Sequence, residues 1–162
     1  MRIVKAESGQ LDEILEIYSS ARRFMRENGN MEQWNGNYPS REILEQDIKR
    51  EKLYLCVEGE ELLGVFYYAE EKDPTYAEIF EGAWLNDRPY GVMHRVAVSA
   101  RGRGVASFCF SHCFEKCKNL KIDTHKDNIP MQRALEHNGF ERCGIIHLAN
   151  GDPRIAYQRC EE

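Results

Sequence analysis

With 162 residues, of which 42% are apolar and 30% charged, the chain has the size and composition of a globular protein, and we expect one domain spanning residues 1–162. Its net charge of −5 excludes a sequence-independent nucleic-acid binder, because such proteins need an excess of Lys and Arg. No apolar run reaches the length of a membrane span, and residues 1–7 do not resemble a secretion signal. We therefore expect a cytoplasmic protein without membrane contact, whose six cysteines are reduced thiols.

The spacing of apolar residues predicts an α/β (α+β) fold. Strands are predicted over 1–5, 53–57, 62–68, 91–99, 120–124, 140–148 and 154–159, and helices over 8–26, 40–50, 105–117 and 127–138. Residues 70–90 have no clean period and are predicted as a strand or short helix with a loop. A helix separates strands 91–99 and 120–124, so these two should run parallel. The prediction is a mixed, mostly antiparallel sheet with one central parallel β-α-β crossover and helices on both faces.

Residues 91–117 contain the most informative pattern. An apolar strand is followed by the turn Arg101-Gly102-Arg103-Gly104, which leads directly into a helix. The free backbone N–H groups and the dipole of a helix N-terminus attract anions, and glycine leaves that backbone accessible. Guanidinium groups can pair with phosphate oxygens in a bidentate manner. The pattern therefore predicts a phosphate-binding turn.

Two ligand classes fit this turn. Gly102-x-Gly104-x-x-Ser107, followed by Asp123 about twenty residues later, is close to the dinucleotide-binding fingerprint. However, the third glycine is missing and too little chain follows for a doubly wound sheet. The stretch 101–106, Arg-Gly-Arg-Gly-Val-Ala, instead resembles the signature Arg/Gln-x-x-Gly-x-Gly/Ala, with which the GNAT superfamily of N-acetyltransferases binds the acyl-CoA pyrophosphate.

A second motif strengthens the resemblance to the GNAT superfamily. Residues 128–140, Asn-Ile-Pro-Met-Gln-Arg-Ala-Leu-Glu-His-Asn-Gly-Phe, are similar to the family pattern Asn-x-x-Ala-x-x-Leu-Tyr-Glu-Lys-x-Gly-Phe. The predicted order of elements also matches the GNAT order over essentially the whole chain. The resemblance implies direct transfer of acetyl from acetyl-CoA, without a metal, to a primary amine in a ternary complex. The alternative is a GNAT-like sensor or interaction module that binds CoA without turnover.

The resemblance also implies which residues hold acetyl-CoA. The backbone of residues 101–106 would surround the pyrophosphate. A bulge in strand 91–99 would free N–H and C=O groups to pair with pantetheine and to polarise the thioester carbonyl. Asn128 is either a helix N-cap or a pantetheine ligand. The predicted cofactor-binding residues are Val96, Ala97, Val98, Arg101, Gly102, Arg103, Gly104, Val105, Ala106 and Asn128.

The catalytic residues are less well defined by sequence. The amine must attack in its neutral form, so a base or a water chain is needed near the centre of the sheet. The candidate catalytic residues are His94, Glu81, Tyr90 and Tyr157, although Glu81 is more simply interpreted as a solvated loop carboxylate.

Protonation of the departing thiolate poses a separate question. Many relatives place a Tyr for this purpose at the seventh residue after the helix-opening Asn. That position is Leu135 here, which cannot donate a proton. The resemblance therefore leaves open a substitute donor such as His137, Tyr157 or Cys143, a bound water, or unassisted departure.

Other side chains are predicted to be structural. Cys109, Cys113 and Cys117 lie at i, i+4 and i+8 of one helix, which is typical of a core stripe, and no fourth metal ligand is evident. Four loop aromatics are either core residues or walls of a substrate pocket: Trp34, Tyr38, Trp84 and Tyr90. The acceptor is expected to be a small-molecule or peptide amine, weakly favoured to be cationic, and a homodimer is left open.

Overall fold

The computed structural model describes residues 1–99 and 102–161, and its elements follow the predicted order. The strands are β1 (Arg2–Lys5), β2 (Leu53–Glu58), β3 (Glu61–Glu70), β4 (Gly91–Val98), β5 (Asn119–Thr124), β6 (Glu141–His147) and β7 (Pro153–Cys160). The α-helices are α1 (Leu11–Glu27), α2 (Arg41–Lys49), α3 (Val105–Cys117) and α4 (Ile129–His137). The ambiguous segment forms one short 3₁₀ helix, Pro74–Tyr76, and a loop.

The strands of the described residues form one sheet in the order β1-β2-β3-β4-β5-β7-β6. Neighbouring strands are antiparallel except β4 and β5, which run parallel as predicted because α3 crosses between them. This topology excludes the doubly wound sheet of the dinucleotide-binding alternative. The parallel pair consists only of Gly91 opposite Leu120 and Val92 opposite Lys121. Beyond these residues the two strands separate and leave a gap in the sheet.

A bulge in β4 lies at the start of this gap. Between the pairs Val65–Ala97 and Tyr67–His94, β3 has one intervening residue whereas β4 has two. One of the two is Arg95, whose φ of 51° lies in the left-handed region that is costly for a residue with a Cβ. Because a bulge bends its strand, it directs the rest of β4 away from β5. The predicted bulge is thus present.

Helices cover both faces of the sheet, as predicted. On one face, α1 and α2 bury Ile14 and Leu44 against Leu55 and neighbouring residues of β2 and β3. On the other face, α3 and α4 bury Phe110 and Leu135. None of the helices within residues 1–99 and 102–161 is long and apolar enough to cross a bilayer.

The cysteine stripe of α3 belongs to the core. Cys109 and Cys113 are 1% and 0% exposed and pack among the apolar residues of β3 and β5. No group of three or more His, Cys, Asp or Glu side chains among the described residues is arranged to hold a metal ion.

We expect the double variant Cys109→Ala/Cys113→Ala to lower the free energy of unfolding by about 1–2 kcal/mol, because packing contacts are lost, and to leave turnover intact. Urea unfolding followed by circular dichroism measures the loss, with Cys160→Ala at the end of β7 as the control. Stoichiometric zinc in the untagged wild type that is absent from the double variant would contradict a purely structural role.

Candidate active site

Two cavities adjoin where β4 and β5 separate. The glycine-turn cavity, of about 320 Å³, is lined by residues 96–98 of β4, the turn before α3, and parts of α1 and α4. The central cavity, of about 430 Å³, is lined by residues 93–96 of β4, residues 122–124 of β5 and the loop between α1 and α2. Met25, Val96, Asn128 and Met131 line both cavities. A ligand bound in one cavity can therefore reach a ligand bound in the other.

The N-terminus of α3 forms one end of the glycine-turn cavity. Gly102 and Gly104 have φ values of 75° and 72°, and an added Cβ at either would meet no protein atom within 4 Å. The first hydrogen bond of the helix runs from the N–H of Phe108 to the carbonyl of Gly104. The N–H groups of residues 105–107 thus precede it, and neither a capping side chain nor an acidic residue accompanies them. The cavity therefore presents backbone donors and the positive end of a helix dipole to an anion.

Most of the predicted cofactor-binding residues come together on this cavity. Its walls include Val96, Ala97, Val98, Gly102, Gly104, Val105, Ala106 and Asn128. Arg103 is not among them, because its guanidinium forms ion pairs with Glu58 at 3.0 Å and Glu61 at 3.3 Å. The prediction for Arg101 lies outside the described residues.

Asn128 is the N-cap of α4 and also a wall of both cavities. Its side-chain oxygen accepts a hydrogen bond from the N–H of Met131 at 3.2 Å, so the capping interpretation is confirmed. Its amide nitrogen donates to Oε1 of Gln33 at 2.9 Å. The cap thereby ties the start of α4 to the loop between α1 and α2, and the contact with pantetheine stays a prediction.

Among the candidate catalytic residues, His94 lies on the wall of the central cavity. Its Nε2 is 2.8 Å from Oδ2 of Asp73. Burial alone would raise the pKa of Asp73, but hydrogen bonds from His94 and Thr75 lower it to about 2. Because an ionised carboxylate can only accept, Nε2 of His94 must carry a proton. In the neutral imidazole, Nδ1 then holds a lone pair, as a general base requires.

A second carboxylate lies on the facing strand. Asp123 of β5 lines the central cavity, and its Oδ2 accepts a hydrogen bond from the Tyr76 hydroxyl at 2.7 Å. Burial raises the pKa of Asp123, although the charge of His94 and the Tyr76 hydrogen bond oppose this effect. The ring of Tyr76 also contacts that of His94, with centroids 6.1 Å apart. His94 and Asp123 therefore face one compartment across the gap in the sheet.

The other three candidate catalytic residues line neither cavity. Glu81 is an exposed loop residue, in agreement with its simpler interpretation. The Tyr90 hydroxyl accepts a hydrogen bond from the N–H of Asp73 at 3.0 Å and thereby stabilises the loop that contains Asp73. Tyr157 is fully buried in the core between the sheet and α3 and α4, where an apolar environment raises the pKa of its hydroxyl.

The possible proton donors to the thiolate differ from those named by sequence. Leu135 is fully buried in the core, and His137 and Cys143 line neither cavity. Thr124, at the end of β5, is a wall of the central cavity, and its buried hydroxyl has no hydrogen-bond partner among the described residues. It is therefore a donor that is free to bind a ligand.

A buried network holds the β4 bulge in place. Arg95 forms an ion pair with Asp47 of α2 at 2.7 Å and donates to the Tyr38 hydroxyl at 3.2 Å. Its backbone carbonyl accepts a hydrogen bond from the Tyr18 hydroxyl at 2.7 Å. The side chain and the backbone of the strained residue are thus fixed by different helices, which stabilises the left-handed conformation that opens the gap.

We expect Tyr18→Phe to lower the free energy of unfolding by about 1–3 kcal/mol, because the Arg95 carbonyl loses its partner in a buried position. Affinity for acetyl-CoA should fall with it, since the bulge is no longer fixed. Urea unfolding and calorimetry measure the two effects. Tyr54→Phe is the matched control, since the Tyr54 ring contacts Phe66 and Tyr68 in the core of the opposite face. Equal stability and affinity in Tyr18→Phe and wild type would contradict this role.

The loop aromatics divide into two groups. Trp34 and Tyr38 line the central cavity, whereas Trp84 and Tyr90 pack around Tyr76 and do not reach it. Sequence reasoning did not identify Asp73, Thr124 or Arg154 as wall residues, and considered Asp123 only for ribose binding. Asp123 and Thr124 could have been found, because ligands commonly bind at the carboxyl ends of strands beside a parallel crossover.

Comparison with known proteins agrees with this geometry. The sequence profile of the Acetyltransferase (GNAT) family matches residues 11–140. A GNAT-family acetyltransferase from Streptococcus agalactiae is 30% identical, with a TM-score of 0.90, over 99% of this chain and 95% of that one. A comparison with curated proteins gives no significant match.

More distant structures share the fold. A GNAT-family acetyltransferase from Bacillus cereus is 20% identical over 99% of this chain and 98% of that one, with a TM-score of 0.66. A ribosomal-protein-alanine N-acetyltransferase from Brucella melitensis is 17% identical over 99% of this chain and all (100%) of the other, with a TM-score of 0.67. From the profile match over most of its length and the close structural relative, the chain belongs to the acetyltransferase (GNAT) family.

Proposed function

We propose that the protein transfers an acetyl group from acetyl-CoA to a primary amine, with both substrates bound at once. The observation that carries this proposal is the junction of the two cavities. One cavity offers an uncapped helix N-terminus to an anion, and the other offers His94 and the carboxylates of Asp73 and Asp123 to an amine. Four residues line both cavities, so the two ligands would meet at this shared wall.

The residues of the glycine-turn cavity fit acetyl-CoA. The N–H groups at the start of α3 would bind the pyrophosphate, and the open edge of β4 at residues 96–98 would pair with pantetheine as an added strand does. Acetyl-CoA supplies the activated acetyl group as a thioester. The groove directs that group toward the shared wall at Val96, where a backbone N–H can stabilise the oxyanion.

His94 and Asp73 would then control the proton of the amine. The amine nitrogen bonds to the thioester carbonyl carbon, the carbon–sulfur bond breaks, and the proton of the nitrogen passes to Nδ1 of His94. Asp73 holds the imidazole in the required tautomer and stabilises its charged form. Holding both reactants in one groove supplies much of the rate enhancement, up to roughly 7–11 kcal/mol in favourable cases.

The departing thiolate has no tyrosine at position 135 to protonate it. We assign the Thr124 hydroxyl as a hydrogen-bond donor to the sulfur, since it is unpartnered on the cavity wall. The thiolate takes its proton from solvent, which is tolerable because a thiol is far more acidic than an alcohol.

An acceptor screen tests the proposal. Purified protein is incubated with acetyl-CoA and a panel of amines that includes polyamines, amino acids and peptides, and free CoA thiol is measured. We expect acceptor-dependent CoA release above the rate without acceptor. Tight binding of acetyl-CoA with no release for any amine would favour the non-catalytic sensor, and failure to bind acetyl-CoA would exclude both functions.

A further inference from the structure

Arg154 is a buried cation that forms no direct ion pair with the carboxylates of residues 1–99 and 102–161. It lies at the start of β7, is 6% exposed, and lines the central cavity. Its Nη1 donates to the carbonyl of Pro153 at 2.9 Å and its Nη2 to the carbonyl of Gln33 at 3.4 Å. Among the described residues it forms no ion pair; Glu32 and Asp152, which also line the cavity, are exposed and not bonded to it. The charge of Arg154 acts on Asp123, where it opposes the rise in pKa that burial causes, but no carboxylate of the described residues lies within ion-pair distance of the guanidinium. A buried guanidinium without such a direct partner is costly, which indicates that it serves a ligand.

The sheet register places Arg154 on the same face as Asp123. Asp123 is directly opposite Ala156 on β7, and Arg154 precedes Ala156 by two residues, so all three side chains share one face. Tyr76 connects Asp123 with His94 on that face. The wall of the central cavity thus carries the carboxylates of Asp73 and Asp123 and, on the same face of the sheet as Asp123, the buried guanidinium of Arg154; Glu32 and Asp152 lie at its exposed rim.

Gln33 connects Arg154 with the wall shared by both cavities. Gln33 accepts from Arg154 through its backbone and from Asn128 through its side chain, and Asn128 belongs to the wall shared by both cavities. Arg154 and this wall therefore lie on one cavity of about 430 Å³. An acceptor that meets both ends must fit within this volume, as a small molecule does.

We propose that the acceptor is a small amino carboxylate of the amino-acid type, whose carboxylate is bound by Arg154 while its amine meets His94 and Asp123. This inference rests on the proposed function. A guanidinium binds a carboxylate through two parallel hydrogen bonds, which would also orient the amine toward the thioester. Arg154 is thus a specificity-determining residue.

The test compares acceptors that differ only in the carboxylate. The twenty common amino acids and the corresponding α-carboxamides are assayed for CoA release with wild type, Arg154→Gln and Arg142→Gln, a control at an exposed position of β6. We expect wild type to favour the best carboxylate over its amide by at least about a hundredfold in kcat/KM, and Arg154→Gln to reduce this ratio below about threefold. The loss should appear mainly in KM, since the contact is made equally in the ground and transition states. The ammonium group of the α-carboxamide is more acidic than that of the amino acid, so more of its amine is neutral at a given pH. Amine reactivity alone would therefore favour the amide over the carboxylate.

The outcomes separate this inference from the proposed function. Equal use of acids and amides, or preference for amides or peptides, overturns the carboxylate site while acetyl transfer stands. If no amine releases CoA, the proposal of acetyl transfer is rejected. The carboxylate site is then tested by calorimetric titration of the same amino acids into the complex of the protein with CoA. The inference is supported if an amino acid binds to wild type and to Arg142→Gln but not to Arg154→Gln. It is overturned if no amino acid binds. Acetyl-CoA affinity is measured for each variant to confirm that the fold is intact.

Discussion

Gly104→Glu is expected to weaken acetyl-CoA binding by at least about a hundredfold, or roughly 2.7 kcal/mol. The new carboxylate would lie at the start of α3, where it repels the pyrophosphate and competes for the same backbone donors. The fold should survive, because a Cβ at this position meets no protein atom within 4 Å. Isothermal calorimetry with acetyl-CoA measures the effect.

Gly59→Glu in the turn between β2 and β3 is the control for backbone strain. Its φ of 59° lies in the same region as the 72° of Gly104, and an added Cβ there also meets nothing within 4 Å. Both variants should lose about 1–3 kcal/mol of stability from strain, but only Gly104→Glu should lose the ligand. Unchanged calorimetric binding by a folded Gly104→Glu would exclude α3 as the phosphate site.

His94→Gln is expected to lower kcat by roughly 10²–10⁴-fold, because the base that receives the amine proton is removed. Acetyl-CoA affinity should change little, since His94 lines only the central cavity. The measurement is kcat with the best acceptor found, and an unchanged kcat in the variant would exclude His94 as the base.

The variant Asp73→Asn separates the contribution of Asp73 to kcat from its contribution to the stability of the fold. It removes the charge that fixes the imidazole, so we expect a smaller loss of kcat than in His94→Gln. The lowered pKa of Asp73 means that its ionised form stabilises the fold above about pH 4, and that this contribution is lost as the pH falls toward about 2. If Asp73→Asn lost only this acid stability and kept the wild-type kcat, the contact between His94 and Asp73 would be structural.

The sequence was sufficient for the fold because local patterns and topology agree. The hairpin of β2 and β3, the Pro130-led start of α4 and the crossover through α3 each have a local signal, and together they allow few topologies. The glycine turn was equally predictable, because glycine adopts left-handed conformations more readily than other residues. Gly102 and Gly104 both do so, and no side chain elsewhere among the described residues packs against either position.

The central cavity was less predictable because its residues come from distant segments. Asp73 belongs to a stretch without periodicity, and its bond to His94 depends on how that loop folds over the sheet. Arg154 resembles an ordinary strand arginine until burial and the absence of an ion pair among the described residues are known. Tyr157 shows the same limit from the other side, because the sequence does not distinguish a tyrosine that lines a cavity from one that is buried in the core, as Tyr157 is.

The short parallel ladder between β4 and β5, which has two residue pairs, affects how ligand binding changes the stability of the protein. Among the described residues, the two halves of the sheet, β1–β4 and β5–β7, are joined by strand pairing only through this short ladder, so amide hydrogens near the gap should exchange through local opening. A ligand that fills the gap as an extra strand binds the closed form alone. At a concentration one hundred times its Kd it adds about 2.7 kcal/mol to stability. The supply of acetyl-CoA would then determine the protein's resistance to heat and to proteolysis as well as its turnover.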